Sequence, residues 1–420
     1  MKIIIALHSC MDLGGIINHT EQLAGGLKDL GHEVEFYELV YADKAPGQNK
    51  ATTEIGPTGV PYSQGKGWCF PVAKRLAYKT HAGLASARQV LGGADVVIWT
   101  VPVVPKNKQH LGNDKWPDLY DLPPTTKQIA FSHDGNSKAG YPHILAIADR
   151  LSGLACVHGC SYNGAAHIPT PRALIVNPQY KPMRTFPTWD TKEPGFISMQ
   201  TFKAWKHVHE LVESIRYMPP KVRGELREIG GKGIEYQYMT SIDKCKDAYY
   251  HEDGEKFWDA AEDNGMVHHD YWTELETLNM LRNTRALVDP SWSKKYSKIG
   301  GHWNRVVVEA MMNGAIPIAQ SRGMGDELFQ AGVHYVDLGT ALDPQDYADV
   351  VLSVGNMSAK EAMPYQEAAR SLLRRFDRKR VAEDVIDLAF GNLETIAGED
   401  VPAVRKKAED LCFDFYGVIM

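Results

Sequence analysis

The opening of the chain constrains its fold more than any other stretch. Ile3 to Leu7 form an unbroken apolar run, Gly14 and Gly15 supply a turn, a helical pattern runs from about Asn18 to Leu30, Gly31 closes it, and Glu33 to Leu39 form a second run. Two short strands joined by a helix-length crossover pair in parallel, so this is a βαβ unit. The first strand shows no apolar–polar alternation, as expected where a parallel sheet is covered on both faces. The run turns polar at Ser9, too early for a membrane span, so it reads as a buried strand and not as a signal peptide.

The alternation continues. A helical stretch is expected through Ala73–Leu91, strands at Asp95–Val101 and Gln128–Ser132, a helix over His143–Leu151, and an apolar segment at Gly153–Val157. Residues 43–70, rich in Gly, Pro, Thr and Lys, read as a long surface excursion. Ile168 to Pro194 holds six prolines among polar residues and reads as an interdomain linker. A strand at Gly195–Met199, a helix over His207–Tyr217, a turn at Gly230–Gly233 and a strand at Glu235–Thr240 follow. Next come a helix at Glu274–Arg282, a strand at Ala286–Val288, a helix around Glu309, and strands at Ile316–Gln320 and His334–Leu338. The tail from Tyr347 to Met420 is expected to be mostly helical. A chain of 420 residues exceeds one ordinary core. The expected fold class is therefore α/β, with two Rossmann-like domains, 1–185 and 186–390, and a helical segment, 391–420, packing back on the first.

With 44% hydrophobic and 23% charged residues the composition is that of an ordinary globular protein. The formal net charge is −6, so no global positive field draws the chain to nucleic acid or an anionic membrane. Any polyanion must meet a local patch, and the candidates are Lys181–Arg184, Lys294–Lys298 and Arg374–Arg380. Six cysteines (Cys10, Cys69, Cys156, Cys160, Cys245, Cys412) lie scattered without a CxxC pair, which fits a reducing, cytoplasmic setting.

Five stretches carry candidate chemistry. In HWNRVVVEAMMNGAIPIAQ, Val306, Val307, Ala310 and Met311 fall at helical spacing, Gly314 is a C-cap, and Glu309 is carried towards a sheet edge. A carboxylate on a rigid helix there suits the two hydroxyls of a nucleotide ribose, the alternative being an exposed helix glutamate. The turn Asp12-Leu13-Gly14-Gly15 ends a strand and opens a helix, where backbone N–H groups can meet a phosphate or simply permit close helix–strand packing. It lacks the full dinucleotide fingerprint, which argues against a nicotinamide enzyme. His133 and Asp134 stand where the strand QIAFS runs out, an active-site address, unless Asp134 only caps a turn. Gln200, Thr201, Lys203 and Lys206 follow another strand end, where lysines can offset the charge of a diphosphate leaving group. The loop SWSKKYSKIGGH, Ser291 to His302, mixes cations and aromatics suited to a phosphate, a base or a nucleic-acid backbone. Two metal-like groupings, His268-His269-Asp270 and Cys156 with His158 and Cys160, lack a complete second ligand pair.

On MKIIIALHSCMDLGGI, IAFSHDGN, SMQTFKAWKH and VVVEAMMNGAIPIAQ the chain resembles the retaining, nucleotide-sugar-dependent glycosyltransferases of the GT-B fold, and among these the DNA α-glucosyltransferases of T-even phages. The resemblance implies two Rossmann-like domains facing a cleft, a UDP-sugar donor with UDP-glucose first among them, and no obligatory metal. It places Gly14 and Gly15 at the diphosphate, His133 and Asp134 at the transferred sugar and acceptor, Lys206 at the leaving group and Glu309 at the ribose. Two departures stand out. The glutamate that the broader class often carries eight positions earlier is Gly301 here, and the arginine expected before the lysine is Thr201, with Lys203 as a point-charge substitute. The implied acceptor is a hydroxymethylated pyrimidine in double-stranded phage DNA, flipped from the stack. A polysaccharide, lipid or small-molecule acceptor is the alternative, as is an inactive nucleotide-sugar- or DNA-binding module. No membrane partner is expected, and a monomer is preferred.

Overall fold

The computed structural model describes residues 1–8, 15–40, 52–55, 61–64, 73–100, 116–133, 144–166, 168–179, 186–199, 207–219, 225–227, 274–292, 303–324, 328–339 and 343–394. They divide into two compact units. One comprises Met1–Lys181 with Arg375–Tyr416, the other Pro182–Arg374 with Gly417–Met420.

In the first unit, β1 (Lys2–His8), β2 (Glu33–Val40), β5 (Lys74–Ala77), β6 (Val96–Trp99), β7 (Lys127–Ser132), β8 (Gly153–Cys156) and β9 (Arg172–Leu174) form a parallel sheet in the order β5-β2-β1-β6-β7-β8-β9. Ile3, Ile4, Ile5 and all of β6 are fully buried, the signature of strands covered on both faces. Helix α1 (Gly15–Asp29) follows β1, and Gly31, at φ +83, ends it in the left-handed conformation. Helix α2 (His81–Leu91) is capped by Thr80, whose side chain accepts from the Gly83 N–H.

Three expectations are corrected here. Lys74–Ala77 is a strand beside β2, not the first turn of a helix: Thr80 stops the helical pattern short, and an edge strand tolerates the charges of KRLA. The stretch 43–70, expected as a loop, contains an antiparallel hairpin, β3 (Thr52–Ile55) with β4 (Pro61–Gln64). The proline-rich stretch 168–194 is also not linker throughout, because β9 pairs with β8 within it.

The second sheet is parallel, in the order β11-β10-β12-β13-β14, built from β10 (Glu193–Met199), β11 (Glu225–Arg227), β12 (Thr284–Asp289), β13 (Ile316–Ala319) and β14 (Val336–Asp337). The sequence had not pointed to β11, three residues long. The expected turn at Gly230–Gly233 and strand at Glu235–Thr240 lie outside the described residues. The helices of this unit are α4 (Val208–Ile215), α5 (Glu274–Asn283), α6 (Arg305–Met312), α7 (Ser321–Met324), α8 (Pro344–Gly355) and α9 (Ala359–Leu373), with the short α3 (Gly159–Gly164) lying earlier, in the first unit. Asp343 caps α8 ahead of Pro344, and Ser358 with Glu361 forms a capping box on α9.

Helix α10 (Arg378–Phe390) belongs to the first unit, so residues 375–390, expected in the second domain, are not part of it. Two glycines account for this. A Cβ on Gly26 of α1 would lie 2.1 Å from the Arg378 carbonyl oxygen, and one on Gly153 of β8 would lie 2.6 Å from the Leu388 side chain. Backbone hydrogen bonds from Gln179 to Phe376 and from Arg378 to Gln179, with the Arg378–Asp29 ion pair, complete the seat.

Candidate functional site

In an open parallel sheet, ligands bind beyond the carboxyl ends of the strands where the strand order reverses. In the first unit that switch lies between β1, whose chain goes on to β2 on one side, and β6 on the other. Helix α1 starts there at Gly15. His133, one residue past β7, reaches across to the Thr100 carbonyl oxygen just past β6, with Nε2 at 2.8 Å. A carbonyl only accepts, so Nε2 carries the proton and Nδ1 is the nitrogen able to take one. The His133 ring meets the edge of His19, from α1, at 4.7 Å and 90°, and His19 also packs edge-on against Phe131 at 4.5 Å. His19 Nδ1 lies 2.8 Å from the Asn177 Oδ1. His19, Thr20, Glu21 and Gln22 are each at most 1% exposed, since the middle of α1 is enclosed by its surroundings on every side.

In the second unit the switch lies between β10 and β12. Asp289, 2% exposed at the end of β12, organises that edge. Its Oδ1 accepts from the Ser291 N–H at 3.1 Å and its Oδ2 from the Asn304 side chain at 2.6 Å. Asn304 is the N-cap residue of α6, so the start of the Glu309 helix is tied to the end of β12. Glu309 is 5% exposed, which excludes the reading as an exposed helix glutamate. Its Oε1 lies 2.8 Å from the Arg305 Nε, one turn nearer the helix start, in a pair of which both side chains are largely buried. Helical side chains lean towards the N-terminus, so this carboxylate is aimed at the same edge.

The other end of α6 is held by Lys192, 3% exposed. Its Nζ lies within hydrogen-bond distance of four carbonyls, those of Arg282 (2.5 Å), Asn313 (3.1 Å), Leu281 and Thr284 (both 3.3 Å), which share its three N–H groups. The C-termini of α5 and α6 thus share one cation, where the helix dipoles favour positive charge. Burial, with the Arg282 charge nearby, lowers its pKa from 10.5 to about 7.

A third cluster sits at the same switch. His207, the residue before α4, has φ 52 and ψ 29 and is the one left-handed non-glycine among the described residues. Such a conformation costs about 1–2 kcal/mol. Its ring stacks on Trp292 at 5.0 Å and 13°, and its Nδ1 lies 3.0 Å from the Glu210 carboxylate. The Arg322 guanidinium lies 4.9 Å from the Trp292 ring centre. A Cβ on neighbouring Gly323 would lie 2.5 Å from the Ser291 carbonyl oxygen, so glycine is what lets α7 come so close.

Of the residues singled out in the sequence, Gly15, His133 and Glu309 are described, Gly15 and His133 at the carboxyl edge of the first sheet and Glu309 in the second turn of the helix Arg305–Met312. Gly14, Asp134, Thr201, Lys203 and Lys206 lie outside the described residues, as do the runs Lys181–Arg184 and Lys294–Lys298. The third basic run forms the turn Arg374–Phe376 and opens α10, with Arg378 and Arg380 in ion pairs to Asp29 and Asp384. Cys156 and Cys160 are buried and not joined in a disulfide, and burial pushes the Cys156 thiol up to about 12. Among the described residues no three His, Cys, Asp or Glu side chains converge as metal ligands, and no helix is long and apolar enough to cross a membrane. His19, Lys192, His207, Asp289 and Arg305 escaped the sequence reading. Arg305 had a usable signal, its spacing of four from Glu309.

The sequence matches no protein-family model and no curated protein. Solved structures resemble it closely in fold. An α-glucosyltransferase in complex with UDP-glucose and DNA containing an abasic site matches with a TM-score of 0.65 at 11% identity, over 93% of this chain and 99% of that one. Anabaena HepE in complex with UDP and glucose matches at 0.62 and 14%, over 94% and 100%. S. aureus TarM, in a complex that includes UDP, matches at 0.58 and 10%, over 92% and 99%. At these identities the likeness establishes architecture: the chain has the GT-B fold.

Proposed function

We propose that this chain is a retaining glycosyltransferase that moves a sugar, glucose first among candidates, from a UDP-sugar to the hydroxyl of a hydroxymethylated pyrimidine in double-stranded DNA. The observation that carries the reading is Glu309: a buried carboxylate, oriented by Arg305 and tied through Asn304 and Asp289 to a strand end at the switch point of its sheet. A carboxylate so fixed suits paired ribose hydroxyls without reorganising when the donor arrives.

In this reading Gly14 and Gly15 let the start of α1 approach the diphosphate. Lys206, with Lys203 and Thr201, offsets the negative charge that grows on UDP as the glycosidic bond breaks. Departing UDP assists removal of the acceptor proton on the same face of the sugar, which gives retention without a carboxylate nucleophile or a metal. His133 Nδ1 and Asp134 contact the transferred sugar and the acceptor hydroxyl. The DNA acceptor is supported by the α-glucosyltransferase of like fold whose complex contains DNA. With a net charge of −6 the protein meets DNA through local cations, Lys294–Lys298 among them, and acts as a monomer in the cytoplasm.

The acidic balance favours a second reading, a polysaccharide, lipid or small-molecule acceptor. Mass analysis of hydroxymethylated DNA, plain DNA and simple glycosides after incubation with a panel of UDP-sugars separates the two. The DNA reading expects a hexose or pentose on hydroxymethylated DNA alone, with UDP released in step. Transfer only to glycosides would replace the acceptor. UDP binding without any transfer would leave a binding module.

A further inference from the structure

His133 does not stand alone at its sheet edge. Phe131 and His133, two apart along β7 and its extension, put their rings side by side at 5.8 Å and 20°, as residues on one face of a strand do. Across both stands His19 of α1, edge-on at 4.5 Å to Phe131 and 4.7 Å to His133, with 72° and 90° between the planes. Perpendicular contact is a favoured geometry for such rings. The His19 Nδ1 lies 2.8 Å from the Asn177 Oδ1, which only accepts, so this nitrogen carries the proton and the ring is held in one orientation. Burying a polar ring costs desolvation that leucine would avoid, and His19 is 1% exposed, so packing alone gives no reason for a histidine there.

We propose that His19 and Asn177 are positioning residues for His133: Asn177 holds the His19 ring upright, and that ring sets the direction in which His133 Nδ1 points. The inference rests on the glycosyltransferase reading above, which puts His133 at the transferred sugar and the acceptor. Thr100 places its N–H and its hydroxyl on the Ala6 carbonyl of β1, at 3.4 and 3.5 Å, and so offers its own carbonyl to His133 Nε2 from a fixed place. A hydrogen bond at one corner leaves an imidazole able to rock about it. A second ring at right angles opposes that motion, and misplacement of about an ångström at a reacting centre can cost about a hundredfold in rate. Asn177 lies two residues before Gln179, whose backbone N–H and carbonyl bond Phe376 and Arg378, so the seat of α10 also steadies the arrangement.

The test joins the kinetics of UDP release on hydroxymethylated DNA with histidine-selective nitrogen NMR and thermal melting, on the full chain and on His19→Leu, Asn177→Ala, Asn177→Asp and His133→Gln. Asn177→Ala and His19→Leu should lower kcat about ten- to a hundredfold while the donor KM stays within about twofold. Asn177→Asp keeps an acceptor oxygen for His19 and should retain most of the rate. Added to His133→Gln, Asn177→Ala should cost nothing further, as expected for residues that act through one group. In the wild type the neutral His133 ring should be protonated at Nε2 alone, and in His19→Leu and Asn177→Ala its two nitrogens should move towards a common, averaged signal. That arm decides where His133→Gln leaves no rate to measure. A purely structural role would lower the melting temperature and leave the His133 nitrogens unmoved. Unchanged His133 signals in both variants would overturn the inference, and so would a full further loss in the His133→Gln background. Wild-type protein that releases no UDP with any acceptor, or His133→Gln with full turnover, would instead remove the reading of His133, and this inference with it.

Discussion

At Glu309, alanine would remove two things at once: an acceptor for the ribose, and the ion-pair partner of a largely buried guanidinium. Breaking a buried pair from one side typically costs about 3–5 kcal/mol. Glu309→Ala is therefore expected to lower the melting temperature as well as donor affinity. Glu309→Gln keeps the shape and one acceptor oxygen, and it separates the effects. It should lose less stability than the alanine variant, because Arg305 keeps a hydrogen-bond acceptor though not its counter-charge, and it should weaken UDP by roughly tenfold to a hundredfold, the range of one charge-assisted hydrogen bond. Donor titration unchanged in the glutamine variant would remove Glu309 from the ribose. At His133 the carbonyl of Thr100 fixes the tautomer, and the position of the ring depends on His19. Asp134→Asn should depress turnover more than UDP affinity if that residue acts at the reacting centre, and full activity would exclude it.

At the scale of elements, the Glu309 helix is held at both ends, by Asp289 through Asn304 at its start and by Lys192 through Asn313 at its finish. Lys192 makes this end sensitive to pH. Its pKa is lowered to about 7 from 10.5. Between these values the unfolded chain binds a proton that the folded one does not, so this group makes stability rise with pH through that window. The slope from one such group is at most about 1.4 kcal/mol per pH unit. Lys192→Met should be destabilised, since four carbonyls lose their donor, and its stability should lack this rise. Denaturation of both proteins across that range checks it: parallel pH profiles would mean that Lys192 does not titrate there. The strands legible in the sequence were those with continuous apolar runs, such as Ile3–Leu7 and the stretch around Ile98. Lys74–Ala77 and Glu225–Arg227 were not, because edge strands are short, charged and without the apolar run of a covered strand. The candidate site was legible where a strand end announces it, as at His133. It was illegible where distant residues meet: His19 and Asn177 lie 158 positions apart, and Lys192 reaches Asn313 across 121.

At the scale of the whole molecule, the path of the chain is decided by contacts that no local pattern displays. The sequence between Arg374 and Phe390 reads as charged helix wherever it is placed. What assigns α10 to the first unit is the absence of a side chain elsewhere, at Gly26 and Gly153. Gly26 offers a clean contest between two effects. Inside a helix, alanine is intrinsically better than glycine by about 1 kcal/mol. Against that, the new Cβ would stand 2.1 Å from the Arg378 carbonyl oxygen and 2.7 Å from its carbon, both backbone atoms that cannot rotate aside. Overpacking of this kind typically costs about 1–3 kcal/mol, and more where backbone must move. Sterics should therefore win, and Gly26→Ala should be less stable than the wild type despite its better helix propensity. Because α10 is what must shift, limited proteolysis should also cut the chain near Arg378 to Phe390 sooner in the variant. An alanine protein that melts higher, with α10 no easier to cut, would mean that α1 and α10 are not pressed together and that the return of the chain to the first unit rests on something else.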